Sequence, residues 1–352
     1  MQRRSLLFAL SAAPIAACGG SSPTPAPAPT LPPPARGNRL LSVGINEGSI
    51  GFDAAFREAR AAGIQFVTLA QAWDDIEKSP GVYSNVFLDA ANAFYSANNV
   101  RLVIEFNPLD TNVNRVPVDL RALPLDNATV IARYKAAFDY VSGRLPNVAL
   151  SGIVIGNEID ASLGGDTQRW AQYGRFFREA AAHARLRRPG IPVGTKAQFD
   201  SIGSANLAAI NADADALMPT YYPMQGNFQV RNPSTVQSDI DAMIRTAGAK
   251  PVFLLEAGYP TSTTNGSSPD LQAQFVRELF AAWDRHATQL AMVNFLWMHD
   301  ISTAELNALL AYYGSTAPAF AAFLGSLGMR SNSGVNKPGF DALRAEARAR
   351  GW

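Results

Sequence analysis

From Leu40 onward the chain alternates short, unbroken apolar runs with longer stretches in which apolar residues recur at helical spacing. A short apolar run bounded by turn residues reads as a strand buried on both faces, and the longer pattern reads as an amphipathic helix. Strands are predicted over 40–45, 65–70, 101–106, 150–155, 192–195, 216–220, 252–255 and 291–297. Helices are predicted over 52–62, 86–98, 127–144, 167–187, 201–211, 234–248 and 269–288, with a last one over 338–350. Eight βα units in about 315 residues suit a single (β/α)₈ barrel. A doubly wound, two-lobed fold would want a Pro/Gly-rich boundary near the middle, and the sequence offers none. The longest extra segment, 301–334, instead follows the eighth strand.

Two of the predicted strands run into a glutamate: Gly152-Ile153-Val154-Ile155-Gly156-Asn157-Glu158 and Pro251-Val252-Phe253-Leu254-Leu255-Glu256. Ligands of parallel α/β folds bind at the carboxyl ends of the strands. Two carboxylates brought there from distant strands are what acid–base and nucleophilic chemistry on a glycosidic bond requires. Neighbouring residues of a regular strand point to opposite faces, so Asn157 and Glu158 share a site only if that strand end is bulged or leaving the sheet. Glu105, inside the third strand, reads as a buried, paired structural acid.

The N-terminus adds a different element. Arg3 and Arg4 precede an apolar run from Leu6 to Ala17, too short to span a bilayer, which reads as an export signal over 1–17. Its end, Ile15-Ala16-Ala17-Cys18, resembles a bacterial lipobox, which implies lipidation of Cys18. Arg-Arg-Ser-Leu-Leu also resembles a twin-arginine signal. Residues 18–38 carry seven prolines among Ser, Thr and Ala and read as an extended tether, which leaves 39–352 for the barrel. An exported chain held to a bacterial membrane by its lipid alone is the expectation. Cys18 is the only cysteine, so no intramolecular disulfide can form. The formal charge of +1, without a basic aromatic-interleaved stripe, argues against nucleic acid as a partner. No phosphate-cradling Gly-rich loop or His-Glu-x-x-His string occurs, and His183, His286 and His299 lie far apart, so neither a cofactor nor a metal is expected.

Asn157-Glu158 after the fourth strand and Glu256 after the seventh resemble the retaining glycoside hydrolases of clan A. Local strings point the same way. Trp73, Glu77, Pro80-Gly81 and Tyr83 resemble the loop after strand two of that superfamily. Thr220-Tyr221-Tyr222-Pro223 resembles the end of strand six in endo-β-1,4-galactanases, and Leu255-Glu256-Ala257-Gly258-Tyr259-Pro260 the nucleophile segment of plant-type β-1,3-glucanases. Trp297 stands where these proteins place an aromatic floor under the sugar. The resemblance implies a barrel that cleaves a β-linked oligo- or polysaccharide, with Glu158 as acid/base and Glu256 as nucleophile.

It further implies that Asn157 binds the sugar hydroxyl beside the anomeric carbon, that Tyr222 or else Tyr221 contacts Glu256, and that the Trp297-Met298 peptide is cis. Trp73, Trp170, Tyr173 and Tyr259 either line sugar subsites or pack helices on the barrel. His299 and Asp300 either touch substrate or cap a loop. Two features depart from the pattern. The end of strand two reads Leu69-Ala70-Gln71-Ala72-Trp73, without the Arg that would hold the nucleophile, and Asn107-Pro108 replaces a His after strand three. A non-catalytic carbohydrate-binding lipoprotein is therefore the alternative, with a periplasmic solute-binding component behind it.

Overall fold

Strand direction and burial follow from the apolar runs, each of which is covered by helices outside and by other strands inside. A computed structural model describes residues 32–84 and 86–352; the expected export signal, Cys18 and most of the expected tether lie outside the described residues. Eight parallel strands form the barrel: β1 (Leu40–Val43), β2 (Phe66–Ala72), β3 (Arg101–Asp110), β4 (Leu150–Asn157), β5 (Val193–Gly194 and Lys196–Gln198), β6 (Met218–Tyr221), β7 (Val252–Ala257) and β8 (Leu290–Phe295). The helices between and after them include α1 (Phe52–Ala61), α2 (Val86–Ala97), α3 (Ala128–Gly143), α4 (Thr167–Arg187), α5 (Ala205–Asn211), α6 (Val236–Ala247), α7 (Pro269–Arg285) and α8 (Pro338–Arg350). The predicted strands and helices all appear, shifted by a few residues at their ends.

The strands pair as two arcs, β1-β8-β7-β6-β5 and β2-β3-β4-β5. The fifth strand belongs to both, because its two halves, either side of Thr195, pair with β4 and with β6 respectively. Opposite this joint, the Gln65 amide donates to the Leu41 carbonyl at 2.9 Å.

Inside the barrel, Phe66, Val103, Val154, Met218, Phe253, Leu255 and Met292 form one apolar plug. Their odd-or-even neighbours, such as Leu102, Ile104, Ile153, Ile155 and Leu254, belong to the larger core beneath the helices. This two-residue alternation decides which side chains reach the mouth of the barrel. The extra segment after β8 folds into two short helices, Thr303–Tyr313 and Pro318–Gly325. Ser302 and Glu305 form a reciprocal capping box at the start of the first. Among the described residues, no helix is long and apolar enough to cross a membrane.

Candidate active site

At the carboxyl ends of the strands lies a cavity of about 560 Å³, whose lining includes Asn157, Glu158, Thr220, Tyr222, Glu256 and Trp297. Both strand-end glutamates reach it because their strands depart from regular geometry. In β4, Gly156 and Glu158 adopt left-handed backbone angles, with φ of 82° and 41°. Asn157 lies between them and joins Glu158 in the cavity lining, as a strand leaving the sheet allows. A Cβ at position 156 would meet Ile159 at 2.7 Å and the Tyr173 hydroxyl at 2.8 Å, so only glycine fits there. In β7 the pairing with β8 shifts register between Leu254 and Ala257. Leu255 stays in the inner plug, yet the next residue, Glu256, also faces inward and lines the cavity.

The two carboxyl groups have different surroundings. Glu158 is buried and accepts from the hydroxyl of Thr220 at 2.7 Å, with longer contacts from Thr111 at 3.2 Å and the Gln198 amide at 3.3 Å. Burial first, and then the nearby charge of Glu256, raise its pKa to about 7. Glu256 accepts from the Lys196 ammonium at 2.5 Å and from the Tyr222 phenol at 2.7 Å. Lys196 also donates to Glu105 at 2.8 Å. Burial opposes the Lys196 charge, but the two carboxylates outweigh it and hold its pKa above the usual value; burial raises the Glu105 pKa against the pull of Lys196. One group is thus suited to carry a proton at neutral pH, and the other is a carboxylate oriented by two donors.

Asn157 donates to Asp110 at 2.8 Å, while its Oδ1 has no protein partner and is free to accept from a hydroxyl. Tyr222, not Tyr221, contacts Glu256, since β6 directs Met218, Thr220 and Tyr222 inward. Tyr221 points outward and donates to Asp239 at 2.7 Å. Gly258 lets Tyr222 take this position: a Cβ there would press on the phenol ring at 2.7 Å. Trp297 lines the cavity as expected, but the cis peptide is Leu296-Trp297 rather than Trp297-Met298.

Two other candidate substrate contacts, Trp73 and His299, are corrected alongside Tyr221. Trp73 is fully buried against Tyr134 and donates to Glu77 at 2.9 Å, outside the cavity. His299 is fully buried and bonded to Asn46, and Asp300 pairs with Lys337 at 2.6 Å and caps Gly328; both fix the loop after β8. Trp170, Tyr173 and Tyr259 pack in the core. Glu105 is paired as expected, but its partner reaches the site.

Lys196, Thr220, Thr111 and Gln198 are site residues that the sequence reading did not single out as such. The usable signal for Lys196 was a cation one residue beyond the predicted end of strand five, a place where desolvation is costly without an acid. The outer wall of the cavity, Phe228, Tyr313, Phe320, Phe323 and Leu324, comes largely from the segment after β8. Among the described residues, no group of three or more His, Cys, Asp or Glu side chains could hold a metal.

No protein-family model matches the sequence, and no curated protein does. Solved structures match in fold. An exo-β-1,4-mannosidase from Opitutaceae bacterium strain TAV5 superposes with a TM-score of 0.69 at 19% identity, over 89% of this chain and 59% of that one. A GH5_18 protein from Streptomyces cattleya in complex with GlcNAc gives 0.66 at 16% identity, over 88% and 80%. A family 39 glycoside hydrolase from Bacteroides cellulosilyticus WH2 gives 0.61 at 13%, over 89% and 64%. The chain thus spans little more than half of the mannosidase and four-fifths of the GH5_18 protein. It has the (β/α)₈ fold that these proteins share.

Proposed function

We propose that the protein is a retaining glycosidase acting on a β-linked glycan, with Glu158 as acid/base and Glu256 as nucleophile. The observation that carries this reading is the contrast between the two carboxyl groups: one is buried, with burial and the neighbouring acid raising its pKa to about 7, and the other is held by an ammonium and a phenol. A Glu256 oxygen attacks the anomeric carbon while the bond to the leaving oxygen breaks, and the proton of Glu158 moves to that oxygen. The glycosyl ester on Glu256 removes one negative charge from beside Glu158, whose pKa falls, so that it takes a proton from the incoming water. Water attacks the same carbon, Glu256 leaves as carboxylate, and the sugar departs with its original configuration. Asn157 accepts from the hydroxyl beside the anomeric carbon, and Trp297 offers an apolar face to the ring. The fold shared with an exo-β-1,4-mannosidase and a family 39 glycoside hydrolase supports this class.

The decisive test is Glu256→Ala with and without azide. Turnover of aryl β-glycosides falls by about a thousandfold or more, and azide restores it with the α-glycosyl azide as product. Activity unchanged in both Glu256→Ala and Glu158→Ala overturns the assignment. Screening β-mannan, β-1,4-galactan and β-1,3-glucan identifies the sugar; the last two follow from the local strings around Tyr222 and Glu256. We further propose export and anchoring through a lipid on Cys18, read from Ile15-Ala16-Ala17-Cys18, with labelled palmitate incorporated by the wild type and not by Cys18→Ser.

A further inference from the structure

Lys196 and Glu105 are buried as deeply as the apolar plug around them, at 1% and 3% exposure. Withdrawing an ammonium and a carboxylate from water costs several kcal/mol each, so a barrel core alone gives no reason for them. The double displacement above uses the Lys196 contact with Glu256 but assigns Glu105 no role. Yet Lys196 is shared by two acids on different strands, Glu105 on β3 and Glu256 on β7. The second Glu105 oxygen has no partner, so Glu105 serves Lys196 alone among the described hydrogen bonds.

We propose that Lys196 is the positioning residue for Glu256, and that Glu105 is its standing counter-ion, which keeps the ammonium paired while Glu256 is an ester. This rests on the two-glutamate reading. The charge count gives the reason. In the free site, two carboxylates surround one ammonium, a net charge of one negative; in the glycosyl-enzyme the ester is neutral, and Lys196 and Glu105 balance. Without Glu105 the free site is neutral and the adduct leaves a buried ammonium unpaired. Glu105 therefore favours formation of the adduct and delays its collapse, because the departing Glu256 gains less from a cation that is already paired.

Dinitrophenyl β-mannoside and β-glucoside, each fluorinated at the carbon beside the anomeric one, trap the adduct slowly enough for both steps to be timed. In Glu105→Gln, trapping slows by about tenfold or more and reactivation of the isolated adduct becomes faster than in the wild type. A purely structural role for Glu105 slows both steps together, and that result overturns the proposal, as does no change in either. If Glu105→Gln folds poorly, Glu105→Gln with Lys196→Met removes both charges and restores the native charge count in each state. Reactivation in this double variant loses the acceleration seen in Glu105→Gln, and reactivation that stays faster there than in the wild type refutes the proposal. Failure of both probes to label Glu256 in the wild-type chain is a separate outcome: it removes the glycosidase reading for these sugars, and the inference with it.

Discussion

Single atoms in this site have effects of opposite sign on rate and on stability. The Tyr222 hydroxyl bonds a carboxylate at the cavity, while the Tyr221 hydroxyl bonds Asp239 in the core. Tyr222→Phe is expected to lower kcat/KM about tenfold while barely changing the melting temperature. Tyr221→Phe is expected to cost about 1–3 kcal/mol of stability, seen in urea unfolding, and to leave turnover intact. Glu158 gives the sharper case. Its pKa rises from 4.5 in the unfolded chain to about 7 in the folded one, so between these pH values the folded state binds more protons. Stability from this group is complete below pH 4.5 and is lost as pH rises through about 7, by at most ~3 kcal/mol. Glu158→Gln, which cannot ionise, is expected to be inactive yet more stable than the wild type at pH 8, with the difference vanishing near pH 4.5. Turnover of the wild type is expected to fall above pH 7 as the acid loses its proton, which a pH–rate profile reads directly.

At the scale of elements, what was legible in the sequence and what was not divide at the strand ends. Apolar runs and helical periodicity report burial, and burial fixed the order of the eight strands and the strand-end placement of Glu158 and Glu256. Periodicity also held enough information to separate Tyr222 from Tyr221, because counting by twos from Met218 reaches Thr220 and Tyr222. Trp73 takes the packing side of its two readings, because a short helix, Trp73–Ile76, starts at once after β2 and turns the indole into the core. No local pattern could reveal that Lys196 meets Glu105 and Glu256, since that contact depends on barrel closure. The helix Thr303–Tyr313 was equally unreadable as a wall of the site. It is fastened to the end of β3 by Tyr312 on Asp110 at 2.6 Å and to the loop after it by Asn112 on the Tyr313 carbonyl at 3.0 Å. Tyr312→Phe is expected to raise amide exchange in this helix while the barrel strands keep their protection.

In the whole molecule, Glu158 and Glu256 belong to different arcs of the barrel. Glu158 stands on the arc that begins at β2, and Glu256 on the arc that begins at β1. Their side-chain contacts cross the boundary: Thr220 of one arc holds Glu158 of the other, and Lys196, on the shared fifth strand, ties Glu105 to Glu256. The pairing of the two acids is therefore a property of the closed barrel, held across its two arcs by side chains. Carboxyl spacing is what separates retention of configuration from inversion in glycoside cleavage. The contacts of Thr220 and Lys196 thus bear on stereochemistry as well as on rate.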